Sequence, residues 1–486
     1  MTGHFKNNAK VEEEPESNVK KKEGSKTWYQ IFICLGPLIL TTGVGAMMGF
    51  SGIFLPQLKN DNSFIKDANG EIDSWIASSA VLPMTFMPFF GGYFMDKIGR
   101  KWSHFIAAIP AISGWIIIAI SQNLVSIIIG RVLTGIYCGL LGPITSVYIG
   151  EATSPSIRPF LLGGIAMNLT LGTLLCHLMG TFFSWQTTAW FCLLFPFIGA
   201  IFTFFSTESP RWYIDKNRIE EACVVFKKIR GESEESNKEL DVMMENYKNQ
   251  TECTRQSSLW NTVHELITKP ELYKPLIILV LYFMSAQFVG INVVTFYAID
   301  IVEGSLGKNF VNQYLVMLAM DSVRVVSSVL ACVLLRKLRR RQLAIIGGSG
   351  CCICLITLSI SNYLLSIIPD SKVLLVAPLV ALLAYMFFIS ICVVPLPWCL
   401  AGELLPQKVK GLASSLLCFS SFSAFFLAIK FSPFLFTNIG SHFTYLLFAS
   451  SALFGTVLCS IFLPETKNKT LDEISNAFKK DRCLNK

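Results

Sequence analysis

Charge is what this chain has least of. Of 486 residues only 15% are Asp, Glu, Lys or Arg, while 52% are hydrophobic; a soluble protein of this size carries about a quarter of charged residues. That scarcity excludes a soluble protein and leaves an integral membrane protein. Acidic residues are the rarer sign, 33 against 41 basic. The basic residues nevertheless alternate with apolar runs and form no single stripe, so nucleic acid is not an expected partner. A secretory signal is also lacking: the first 27 residues are polar and carry Glu12, Glu13, Glu14 and Lys20-Lys21-Lys22 where a short apolar core would stand. The first true span therefore doubles as the insertion signal. Cysteine is not scarce, but all 15 fall in expected helices or on the cytoplasmic side, and no structural disulfide is expected. No nucleophile–base pair, metal cluster or phosphate-cradling loop stands out, so an enzyme is the least supported class and no cofactor is expected.

What is abundant is the apolar run of about 20 residues, the length that crosses a bilayer. Such runs place spans one to twelve near 29–52, 75–95, 103–121, 126–149, 160–181, 186–206, 273–299, 311–335, 342–361, 371–400, 411–431 and 440–463. The expected fold class is an all-α membrane protein of twelve transmembrane helices in two six-helix bundles. Residues 1–28 read as a cytoplasmic tail, 29–206 as the first bundle, 207–272 as a charged helical linker, 273–463 as the second bundle and 464–486 as the closing tail. Only Lys59, Lys66, Lys308 and Lys372 fall in exterior loops, and Arg131, Arg324 and Lys430 within spans; all other basic residues gather on one side. That bias puts both termini in the cytoplasm of a multi-pass protein, taken here to sit in the plasma membrane.

Between spans two and three lies a tight charged turn, Gly91-Gly92-Tyr93-Phe94-Met95-Asp96-Lys97-Ile98-Gly99-Arg100-Lys101. Each of its charges would cost roughly 2.5–3.5 kcal/mol at the bilayer centre, so the turn sits at a membrane face. Two further pieces recur in the second half of the chain. Tyr148-Ile149-Gly150-Glu151, ending at Arg158, answers to Leu400-Ala401-Gly402-Glu403, ending at Lys410. Thr207-Glu208-Ser209-Pro210-Arg211 answers to Pro464-Glu465-Thr466-Lys467. Duplication of this kind marks transporters whose halves rock about a site between them.

These pieces, with Gly130-Arg131 and Gly135 in span four, Trp212, Gln287-Phe288-Val289-Gly290-Ile291-Asn292, Pro395-Leu396-Pro397-Trp398 and Leu471-Asp472-Glu473-Ile474, resemble the sugar porter family of the major facilitator superfamily. That family includes facilitative glucose transporters and insect trehalose transporters. The resemblance implies alternating access with a small-molecule sugar as substrate and the lipid bilayer as surroundings; the oligomeric state is left open. It also implies a cytoplasmic latch made of Asp96, Arg100, Glu151, Arg158, Glu208 and Arg211 in the first half and Arg340, Glu403, Lys410 and Glu465 in the second. Charged ends of neighbouring helices would pair across the cytoplasmic mouth, each exposed pair contributing about 0–1 kcal/mol, and inward opening would break them. The second-half turn, Arg336-Lys337-Leu338-Arg339-Arg340-Arg341, has no carboxylate at its first position, so that half of the latch is expected to be electrostatically one-sided.

A sugar presents hydroxyls around an apolar ring face, which calls for amides beside an aromatic platform. Gln287 and Asn292 flank Gly290, a residue that weakens the middle of span seven, and Trp398 follows Pro395 and Pro397 at an expected hinge of span ten. Departures from the family are as informative. Ala166, Ala286, and Ser421-Phe422 stand where it has amides or Asn-Trp, and Cys392 and Val394 replace the inner glycines of span ten. Arg324 aligns with a polar amide position of span eight. Two readings stay open for it: a structural pair with Asp321 one turn earlier, or a substrate contact. His177, alone among apolar neighbours, reads as a packing residue. Ser51 stands where proton-coupled sugar porters carry an aspartate, so transport is expected not to be proton-driven. The expected substrate-binding set is Gln287, Asn292, Trp398, Ser421 and Arg324. The leading function is facilitative transport of trehalose or a hexose; the alternatives are a non-transporting sugar receptor and a porter for an organic anion.

Overall fold

A backbone in hydrocarbon has no water to bond, so apolar runs of this length must satisfy their amides internally and form helices. The computed structural model describes residues 16–60, 70–231, 238, 240–244, 259–306, 312–368, 372–405 and 410–465, and among them it is helical throughout its length with no strand. Eleven helices are long and apolar enough to span a membrane: Thr27–Lys59, Arg100–Ala119, Leu124–Ala152, Arg158–Phe182, Trp185–Phe205, Pro270–Phe296, Gln313–Lys337, Arg340–Ile367, Val376–Leu404, Leu412–Ile439 and Ser441–Phe462. The remaining expected span, the second, is divided into Gly70–Ser79 and Val81–Ile98, which meet at Ala80. Pro83 explains the division, because it has no N–H to give Ser79.

The packing repeats between halves. Span one lies against spans five and six, span four against two and three, and span three against six; correspondingly, span seven lies against eleven and twelve, ten against eight and nine, and nine against twelve. The halves meet where span five packs on eight, span two on eleven, and span one on the later part of seven. Gly163 of span five is so close to span eight that a Cβ there would stand 2.7 Å from Cys332 Sγ and 3.7 Å from its Cβ.

The linker contains Pro210–Asp215, Ile219–Arg230 and Leu259–Thr268. The second of these carries Arg218 at its N-cap. The first helix runs from Glu16 to Asn60 and so begins inside the segment read as a tail. The tail motif Leu471 to Ile474 and the side chain of Lys410 lie outside the described residues. Below, the tail face is the end of the bundles where the first helix starts and span twelve finishes, and the far face is the opposite end.

Candidate functional site

Span seven breaks where Gly290 sits. Its φ of 98° is the left-handed conformation that glycine adopts without penalty, and a Cβ would lie 2.7 Å from the Phe448 ring. The break frees the Val289 carbonyl, which accepts from the buried Tyr385 hydroxyl of span ten at 2.9 Å. Span ten is itself interrupted by a π-helical stretch, Ile389–Val393, ahead of Pro395. The interruption falls where two prolines without N–H groups follow. Leu435–Ile439 is a second π-helical stretch, at the far end of span eleven.

Three of the five expected substrate-binding residues meet at the Gly290 break. Asn292 donates to Gln287 Oε1 at 2.7 Å, and Gln287 donates to Ser421 Oγ of span eleven at 3.0 Å. The break makes this possible, since it brings residues 287 and 292 together across an interrupted turn. Trp398 stands tailward of the trio, 47% exposed, with its ring edge-on to Phe283 at 4.8 Å. Phe283 lies one turn before Gln287, so the indole flanks the amides without bonding to them.

Arg324 goes elsewhere. Its guanidinium donates to Thr295 Oγ1 at 2.8 Å and is 3.9 Å from Asp321 Oδ1, with both charged side chains buried. The nearer partner of Asp321 is His177 of the opposite half: Nδ1 makes a short contact to Asp321 Oδ2, while Nε2 is 2.8 Å from the Gly49 carbonyl of span one. His177 is thus a polar bridge between the halves, which corrects its reading as a packing residue. A sequence signal existed, because two titratable residues stand in spans five and eight. Arg131 is fully buried and donates to Ser51 Oγ at 2.5 Å and to the Met47 carbonyl at 3.2 Å. Its guanidinium lies over the rings of Phe50 and Phe296 at 5.9 and 6.0 Å. Ser51 therefore occupies the place facing Arg131 with a neutral hydroxyl.

On the far face the halves are joined by charges for which the sequence reading named no partners: Lys59, read in an exterior loop, and Lys430, read within a span. Lys59 of span one is 3.3 Å from Asp73 and 3.3 Å from Asp300, which lies beyond the break in span seven. Lys430 of span eleven donates to Ser74 at 2.8 Å and sits 3.8 Å above the Trp75 ring.

On the tail face, Glu208 caps span three. Its carboxylate accepts from the backbone N–H of Arg100 at 2.8 Å, of Lys101 at 3.1 Å and of Ser209 at 2.9 Å, where the positive end of the helix dipole favours an anion. Burial nevertheless lifts its carboxyl above the ordinary value, and those N–H bonds and the charge of Arg100 only partly offset the effect. Gly99 makes room: its φ is 100°, and a Cβ would come 2.3 Å from Glu208 Oε2. The Arg100 side chain reaches Glu151 at 2.8 Å and the Met95 carbonyl at 3.3 Å. Arg158 donates to the Thr153 carbonyl at 3.0 Å, and Arg211 lies 3.8 Å from Asp215. The exposed Asp96 has no ion pair among the described residues, but its carbonyl accepts from Trp212 at 3.3 Å. In the second half Arg340 receives Glu465 on its backbone N–H at 3.2 Å and reaches Glu403 at 2.8 Å and the Leu335 carbonyl. These contacts join helix ends within one half, whereas pairing across the mouth was expected, and they coexist with joined far ends. Arg340 keeps both carboxylates, which corrects the expectation of a one-sided second cluster.

Two duplicated helical bundles, with a broken helix carrying amides between them and clustered charges at one membrane face, are the architecture of an alternating-access membrane transporter. The chain belongs to the family described as sugar (and other) transporters, whose family model matches residues 32–478. It is 30% identical over 450 residues to the facilitated trehalose transporter Tret1 of Bombyx mori, covering 92% of this chain and 86% of that protein. It is 27% identical to the Tret1 of Apis mellifera ligustica, over 94% of this chain and 90% of that one. The inward-open xylose transporter XylE of E. coli shares the fold, with a TM-score of 0.72 over 92% of this chain and 98% of that chain at 20% identity.

Proposed function

We propose that the chain is a facilitative transporter that moves a sugar, trehalose or a hexose, down its gradient as the halves at 29–206 and 273–463 rock about a site between them. The observation that carries this reading is the trio of Gln287, Asn292 and Ser421 gathered at the Gly290 break. Two amides and a hydroxyl linked in series offer both donors and acceptors, which is what a polyol needs. Trp398 supplies an apolar face tailward of them, and Arg324 bounds the site on the side of span eight. The names of the curated relatives support trehalose as the first sugar to try. The tail face is cytoplasmic in this reading, with both termini there and the protein in the plasma membrane; the basic bias of that face supports it. The charged clusters act as a latch that fixes the tail-face ends of each half: Asp96, Arg100, Glu151, Arg158, Glu208 and Arg211 in one, Arg340, Glu403, Lys410 and Glu465 in the other.

Purified protein in proteoliposomes, offered labelled trehalose, glucose, xylose and small organic anions, tests the reading. Saturable uptake of at least one sugar that stops at equilibrium and is not concentrated by an imposed pH gradient is expected. Equilibration of none of the sugars would reject it. Anion uptake alone would favour the second reading, for which Arg131 and Arg324 speak: two buried guanidiniums whose Nε atoms have no hydrogen-bond partner among the described residues, among which only Asp321 lies in ion-pair range of either.

A further inference from the structure

The hydrogen bonds around His177 contain one proton more than a neutral imidazole beside an ionised carboxylate can supply. The Gly49 carbonyl, 2.8 Å from Nε2, can only accept, so Nε2 carries a hydrogen. On the other side Nδ1 faces Asp321 Oδ2, and a close contact between an imidazole nitrogen and a carboxylate oxygen also needs a hydrogen between them. Whether that hydrogen resides on Nδ1 or on Oδ2, the pair holds it in common. Without it two lone pairs would face each other among groups 1% and 4% exposed, where an unpaired polar contact is costly.

We propose that His177 and Asp321 form a proton-binding site that ties the two halves together in their far-face portion. His177 lies about one and a half turns from the far end of span five, and Asp321 lies about two turns from the far end of span eight. Joining the far ends takes up one proton, which settles between Nδ1 and Oδ2. Parting them lets the pair meet the far-face solution and returns the proton to the side it came from. The proton thus weights the balance between closed and open far faces and is not carried across.

The neighbours are consistent with a single exchangeable proton. From span eight, Arg324 is 3.9 Å from the other Asp321 oxygen and is itself held by Thr295 of span seven. From span ten, the Tyr385 hydroxyl is committed to the Val289 carbonyl of span seven at 2.9 Å. From span one, Gly49 and Gly52 approach the imidazole, neither with a charge or a titratable side chain. Cys176 is the neighbour on span five, and the Arg131 charge of span four is taken up by Ser51 and Met47. No second carboxylate among the described residues competes for the histidine.

The test reads conformation rather than sugar uptake, so its failure is distinct from failure of the transport reading. Nitroxides attached through a ketone amino acid at the exposed far-end positions Phe182 and Leu315 report the closed-to-open ratio by pulsed electron resonance in detergent. In the parent, that ratio is expected to rise by up to about tenfold for each pH unit lowered within the titrating range, the limit for one linked proton. In Asp321→Asn the amide donates to a neutral imidazole, so the ratio should be high and flat with pH. In His177→Gln the amide supplies its own hydrogen to the ionised carboxylate, so joining the far ends needs no proton and the dependence should vanish as well. A ratio that stays level in the parent between about pH 5 and pH 9, the span in which histidine titrates, overturns the proposal. So does a slope of parental size in either variant that folds; were neither to fold, the parent titration alone decides.

Discussion

The tail-face clusters of the two halves make the same bonds with different material. Arg100 and Arg340 each take a carboxylate on the backbone N–H, a second carboxylate on the guanidinium and the carbonyl five residues back. Around them the charge differs: Asp96 opens the first turn where Arg336 opens the second. The comparison teaches that the arginine and its two glutamates are the shared unit, while the acid at the head of the turn is dispensable to its geometry. Burial also differs, since the Arg100 side chain is 7% exposed and its partner Glu151 19%, against 13% and 27% for Arg340 and Glu403.

If burial decides what each cluster contributes, Arg100→Ala should have the largest effect. It strands the Glu151 carboxylate, whose guanidinium partner is lost while Glu208 keeps its backbone N–H bonds, and breaking a buried pair costs about 3–5 kcal/mol. Thermal unfolding in detergent should show a large fall in stability, and maximal sugar uptake should fall with it. Arg340→Ala should cost about 1–3 kcal/mol, because its partners are better solvated and the lost bonds are those of a half-exposed charge. Equal losses in both variants would show that burial is not what separates the halves. Asp96→Asn should change stability by no more than about 0.5 kcal/mol, as expected of an exposed site without a partner. A loss as large as that of Arg340→Ala would restore the acid to the shared unit.

The smallest expected effect is a pH dependence present in the first half. Glu208 titrates above its ordinary value because it is buried. Between the unfolded and folded values the folded state therefore binds more protons than the unfolded one, and stability falls as pH rises through that window. Glu208→Gln should remove this slope, so unfolding curves of parent and variant should diverge across the window and run parallel above it.

Much of this arrangement was legible in the sequence, for physical reasons. Apolar length dictates spans, and the duplicated Glu151 and Glu403 pieces pointed to a charged cluster in each half, although the second was expected to be one-sided. Gly290 between Gln287 and Asn292 foretold a break carrying amides, and Pro395 with Pro397 a disturbed span ten. The charge bridges were not legible. The pairing of His177 with Asp321, and of Lys59 with Asp300, joins residues far apart in the chain that meet only because span five packs on eight and span one on the later part of seven. Periodicity says which residues share a helix face and nothing of which face meets which. For Arg324 the two readings, a pair with its i, i+3 neighbour Asp321 or a substrate contact, left out the third partner that the packing brings: Asp321 keeps Arg324 at 3.9 Å on one oxygen and meets His177 of the other half with the second.

The meeting of Gly163 with Cys332 is also a ready-made point for a covalent lock. A disulfide needs Cβ atoms about 3.5–4.5 Å apart, and the 3.7 Å between a Cβ built at residue 163 and that of Cys332 falls in this range. Nature has already supplied one of the two thiols. A single Gly163→Cys exchange would turn the seam between the halves into a redox-operated brake, set by a mild oxidant and released by a reductant, on the rocking proposed for those halves.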